Sequence, residues 1–269
     1  MHCCSAAIVF RYLQNGRASM SILRIRSKLL FATLLVASSF ASADILIDDF
    51  NTQSQLVTDL TSGVVGVADQ SDFSANIIGG YRDIYVNKVA DPLTDGVLGI
   101  RSSVVAGSYG FSSDTGQSGL GILRWDGDQA LTVDAMTGAI NDVDFSGLGG
   151  IDFSGLDGFL LTVISSDANF IFRLEVYDTL GNLAFFNALA NSVIDDGTPE
   201  VFFIPFAIFS GDLNVFTDVG ALQAIINATN VVDIDLRIDS ASAVPEPGTL
   251  AMFGLGLLGL AGIRRRHSD

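Results

Sequence analysis

Cysteine and histidine are almost absent from this chain of 269 residues. The two cysteines are Cys3 and Cys4, and the two histidines are His2 and His267. Residues 44–243 contain neither, which excludes disulfides, thiolate nucleophiles, Ser-His-Asp triads and histidine-ligated zinc from that span. Positive charge is also scarce there. Arg82, Lys88, Arg101, Arg124, Arg173 and Arg237 stand against 28 acidic residues, a net of −22 that the whole-chain figure of −16 conceals. A surface so acidic repels phosphate backbones, so nucleic acid is excluded as a partner. Tryptophan occurs once, at Trp125, and glutamate in that span only at Glu175 and Glu200. The other acids are aspartates, which suit turns and, as hard oxygen donors, calcium.

The basic residues missing from the middle lie at the ends. A second start at Met20 is followed by Arg24, Arg26 and Lys28, an apolar run from Leu29 to Phe40, and Ala41-Ser42-Ala43 before Asp44. This is the pattern of a secretory signal peptide cleaved after Ala43, with residues 1–19 an over-called start. The twelve-residue apolar run is shorter than the ~20 residues that span a bilayer. At the other end, Pro245-Glu246-Pro247 precedes a Gly/Leu-rich apolar run, Leu250 to Ile263, and then Arg264, Arg265 and Arg266. Fourteen helical residues cover about 21 Å. That makes a short membrane helix, with the arginines as a cytoplasmic stop.

Those three parts, in that order behind a signal peptide, resemble the PEP-CTERM sorting signal. The resemblance covers residues 244–269. It implies recognition by an exosortase, processing near Pro245–Pro247, and an exopolysaccharide-making Gram-negative host.

Residues 44–243 carry no linker and alternate short apolar runs with Gly/Asp/Ser turns, so they read as one all-β domain, an antiparallel sandwich. Strands are predicted at 45–50, 77–89, 97–105, 119–125, 131–135, 159–165, 170–177, 183–189, 200–205 and 231–240. Period-two alternation is strict in two of them. Phe170, Phe172, Leu174 and Val176 oppose Arg173 and Glu175; Val232, Ile234, Leu236 and Ile238 oppose Asp233, Asp235, Arg237 and Asp239. Val219, Leu222, Ile225 and Ile226 predict one short helix over Val215–Ala228. An eight-residue unit occurs twice, at 143–150 and 151–158. Two copies are too few for a solenoid and read as a duplicated turn, with a calcium-binding Gly/Asp repeat as the alternative. Asp48-Asp49-Phe50, Trp125-Asp126-Gly127, the 152–158 segment and Phe216-Thr-Asp-Val-Gly220, in this order, resemble the galactose-binding-like jelly roll. The resemblance implies carbohydrate as a ligand class and a structural calcium joining first and last strands, here through Asp48 or Asp49 with Asp239.

The candidate sites follow from these readings. Trp125 is the candidate platform for sugar stacking, set against a core or turn role. Glu175 is the candidate catalytic carboxylate, set against a strand-face ion pair with Arg173 or Arg237. Asp48, Asp49 and Asp239 are the candidate calcium ligands, and no other cofactor is expected. The functional reading is an exported, non-catalytic protein of the cell surface or exopolysaccharide matrix, held in the inner membrane by its tail until processed. Its partners are the translocon, signal peptidase, exosortase, the membrane and exopolysaccharide. A carbohydrate-binding module and a secreted glycan hydrolase are the alternatives.

Overall fold

The computed structural model describes residues 43–245 except 64, 90, 91, 191 and 192. The expected signal sequence up to Ser42, and Glu246, Pro247, the expected membrane helix and the arginine cluster, lie outside the described residues. No helix among the described residues is long and apolar enough to cross a membrane.

Two antiparallel sheets face each other as a jelly-roll sandwich. The first runs β11 (Glu200–Pro205), β8 (Gly158–Ser166), β14 (Asp235–Val244), β6 (Ser108–Ser113), β5 (Ile100–Val105), β2 (Gln55–Asp59). The second runs β12 (Ser210–Gly211), β10 (Leu183–Leu189), β9 (Ile171–Asp178), β13 (Val219–Ala228), β7 (Gly119–Trp125), β4 (Asp83–Lys88), β3 (Val67–Gln70). In the first sheet β14 is central. One edge pairs with β8, and the other is shared by β6 over Asp235–Ile238 and β1 (Ile45–Asp48) over Ala241–Ala243. The pairing of Ile45 with Ala243 brings both ends of the domain together.

The alternating patterns locate the core. Phe170, Leu174 and Val176 of one sheet and Ile234, Leu236 and Ile238 of the other are buried between them, while Val232 lies outside β14 and is exposed. One end of the interior is closed by phenylalanines. Phe206 stacks on Phe216 at 4.0 Å and meets Phe159 edge-on at 5.0 Å. Each such pair contributes about 0.5–1.5 kcal/mol beyond the area it buries.

The helix expected over Val215–Ala228 is a ten-residue strand, β13, preceded by a 3-10 turn at Leu213–Thr217. β13 lies between β7 and β9 and is covered on both faces. A strand buried on both faces shows a continuous apolar run, which periodicity cannot distinguish from a helix. The strand expected at 131–135 is a loop with one bridge, Val133 to Ile140. β2, β3 and β6 were not foreseen, because two are short edge strands and the third is broken by Ser and Gly.

The duplicated unit builds the same turn twice. Asp144 Oδ1 accepts from Ser146 N, and Asp152 Oδ1 from Ser154 N. Phe145 of the first copy packs on Tyr177, outside the second sheet, whereas Phe153 of the second copy is fully buried between the sheets. The segment therefore crosses from the outer face into the core, bonded to residues 216–220 along the way.

Candidate functional site

The outer face of the second sheet carries a polar row. Strand register aligns Asp83, Arg124, Gln223 and Glu175 across four neighbouring strands. Arg124 Nε donates to Gln223 Oε1 (2.8 Å), and Gln223 Nε2 donates to Glu175 Oε2 (3.0 Å). Glu175 also accepts from Arg173 Nε (2.5 Å) and Tyr177 Oη (2.7 Å). Burial, reinforced by the bond to Glu175, pushes the Tyr177 hydroxyl up, so it stays a donor. Burial lowers the Arg124 guanidinium from its ordinary value, opposed by the charge of Asp126. The Glu175 carboxyl is thus held by three protein donors. The partner foreseen for it is Arg173, two residues along the same strand, and Arg237 lies on the other sheet.

Two carboxyls meet nearby. Asp83 and Asp126, each 1% exposed, share a hydrogen bond, and Oδ1 of each has no further partner. Burial first, and then the charge of Asp126, raises Asp83 to about 7. Both carboxyls are buried beside the 127–157 connection, where Asp126 Oδ2 accepts from Asp144 N. An acid and a base flanking a glycosidic bond need an open cleft between them, and this pair has none.

Trp125 is not a stacking platform. It is 4% exposed, and Nε1 donates to Asp48 Oδ2 at 3.1 Å. Asp48 is fully buried and pairs with Arg82 Nη1 at 2.7 Å, while Oδ1 accepts from Phe50 N. Arg82 completes this junction between the sheets, donating to Gln55 Oε1 and to the carbonyls of Thr52 and Gln53. Burial pushes the Asp48 carboxyl up, against the pull of Arg82. A guanidinium therefore occupies the position foreseen for calcium. Asp49 caps a turn through Asn51 N, and Asp239 points outward from β14. Among the described residues no three such side chains converge on a metal position.

The outer face of the first sheet carries a feature the sequence reading missed. Ser103 of β5, Ser108, Gly110 and Ser112 of β6, Ser165 of β8 and Arg237 of β14 line a trough of about 470 Å³. Arg237 Nη2 donates to Ser108 Oγ at 2.8 Å. Asp235 closes one side, its carboxyl raised by burial and by the charge of Asp167. The available signal was Ser108, Gly110 and Ser112 at alternate positions of β6, beside Ser103 of β5; small residues there leave a depression.

At the C-terminal end, β14 stops at Val244 and Pro245 follows at once. Ala43 and Asp44 directly precede β1. The expected cleavage position and the sorting motif therefore adjoin the paired strands β1 and β14.

Comparison with known proteins identifies the tail and returns distant structural neighbours. The chain carries a PEP-CTERM protein-sorting motif, matched over residues 243–266. No curated protein matches the chain. A family 11 carbohydrate-binding module of a cellulosomal cellulase of Clostridium thermocellum is 10% identical, with 76% of this chain and 96% of that one covered and a TM-score of 0.35. An exo-beta-agarase structure is 10% identical over 76% of this chain and 25% of its own, with a TM-score of 0.38. An agarase is also 10% identical, over 55% of this chain, with a TM-score of 0.37. This chain spans 22% of that agarase's length.

Proposed function

We propose that this is an exported, non-catalytic protein of the cell surface or exopolysaccharide matrix, held by its tail and processed by an exosortase at Pro245-Glu246-Pro247. The observation that carries the reading is the sorting motif at 243–266, set directly after the last strand of a sandwich whose candidate carboxylates are engaged by the protein itself. A Gram-negative envelope, the translocon and signal peptidase complete the proposed route. The test is intact mass from cells with and without exosortase. A product starting at Asp44 and lacking the segment beyond Pro245–Pro247 only in exosortase-positive cells is the expected result. An uncut tail in both strains overturns it. Turnover of any glycan by the mature protein overturns the non-catalytic part.

The trough on the first sheet favours a second reading, carbohydrate binding. Hydroxyls and one guanidinium on a floor of small residues offer hydrogen bonds to a neutral glycan, while the acidic surface disfavours polyanionic ones. Polysaccharide pull-down should retain the protein. Arg237→Ala should lower affinity about tenfold, the weight of one charged hydrogen bond. No retention on any neutral polysaccharide removes this reading.

A further inference from the structure

A cavity of about 270 Å³ separates the two sheets along their β11 and β10 edges. Its wall comes from both inner faces: Val163 and Ile238 from the first sheet, Phe172, Phe186 and Ala188 from the second, and Ile204 from the edge strand β11. Phe172 and Phe186 point inward yet are only half-buried, because they border this gap. The volume equals about nine water molecules at ~30 Å³ each, and a buried water needs two to four polar partners. Among the described residues Ser166 carries the one polar side chain in the wall, and its Oγ already donates to the Asp167 carbonyl. Water is poorly held there, and an empty apolar gap of this size leaves its lining without contacts on one side.

Charge narrows what fills it. No lining residue is charged. The residues flanking the wall are acidic: Ile194 is followed by Asp195 and Asp196, Ser166 by Asp167, and Val163 lies opposite Glu200. An anionic head group would meet carboxylates and no cation. Leu189, Phe202 and Ile208, which line the cavity, are also exposed to solvent, so the apolar surface continues outward. Among the described lining residues the one side-chain hydroxyl, that of Ser166, is already engaged and leaves little to orient a substituted ring, whereas a flexible chain needs no such anchor. We infer that this cavity takes an uncharged alkyl chain.

The test uses the full chain in lipid nanodiscs, with Cys3 and Cys4 replaced by Ser so that one introduced thiol is unique. Ala188→Cys places that thiol in the wall, and Leu180→Cys, 83% exposed, serves as the control. Two alkyl methanethiosulfonates of ten carbons are compared, one ending in methyl and one in carboxylate. The Ala188→Cys thiol should react with the methyl-ended reagent at least about tenfold faster, since burying a charge among carboxylates is costly. The Leu180→Cys thiol should show less than about a twofold difference, as an exposed site desolvates neither reagent. Ser166→Cys, nearly isosteric with the native residue, should repeat the Ala188→Cys ratio and guards against misfolding of one variant. Equal rates at the wall thiols overturn the charge selection. Absence of reaction at both wall thiols, while the Leu180→Cys thiol is consumed, overturns the cavity as a binding site.

Discussion

Arg82, Lys88 and Arg124 are half of the cations between residues 44 and 243, and they are 0%, 0% and 1% exposed. Each is tied to aspartate: Arg82 to Asp48 at 2.7 Å, Lys88 to Asp95 at 2.9 Å, and Arg124 to Asp126 at a looser 3.8 Å. Half of the positive charges thus fix the interior, and Arg101, Arg173 and Arg237 alone face a surface rich in aspartate. Arg124 and Asp126 beside Trp125 are charged yet buried, and of the two roles open to Trp125 it takes the core one. At Asp48 the cation site foreseen for calcium is filled by a residue 34 positions away, a separation no local pattern reveals. The protonated Asp83 gives a pH-dependent prediction. Its folded value of about 7 lies above the unfolded 3.8. Below the unfolded value neither state ionises and the group costs nothing; between the two values the unfolded state alone releases its proton, so this contribution to stability falls as pH rises and levels off above about 7. The full fall is about 4 kcal/mol. Asp83→Asn, which keeps a donor for Asp126, should therefore exceed the parent in stability at pH 8, with the gap closing toward pH 4. Urea midpoints across that range measure it; a gap independent of pH overturns it.

At the scale of elements, the half-buried strands were legible because their alternation is complete, as in β9. β13 was not, because a strand covered on both faces has no wet side to reveal its period. What covers its outer side is the duplicated segment, and Gly220 is the point of closest approach. The Cβ of any other residue there would run into the Phe145 carbonyl oxygen. Gly220 also sits where the register between β13 and β9 shifts. Gly220→Ala should push the first Asp-Phe-Ser turn off the sheet, loosen the Phe145–Tyr177 contact and cost about 1–3 kcal/mol. Denaturant unfolding gives the cost, and faster proteolysis within 143–150 should accompany it. Unchanged stability and proteolysis show that the segment adapts.

For the whole molecule, the sandwich architecture followed from composition and turn spacing, whereas the strand order did not. Nothing local in the sequence says that the last strand lies in the middle of a sheet. That position makes the C-terminal boundary sharp. A chain ending at Pro245 should keep the unfolding midpoint of one that retains the tail. A chain ending at Ser240 loses every β1 partner and half of the β8 ladder, and should not fold cooperatively. Calorimetry on the two truncations decides this, and a cooperative transition in the shorter one overturns it.

The central place of β14 also sets a timetable. Before β14 is available, the first sheet exists only as two fragments, β11–β8 and β6–β5–β2, with β1 unpaired. A chain threaded outward from its N-terminus delivers β14 last, one residue ahead of the sorting motif. The sandwich can then close only after almost the whole polypeptide has crossed, and its slow, long-range pairings form within a few residues of the membrane. Until that moment the half-built sheets present open edges.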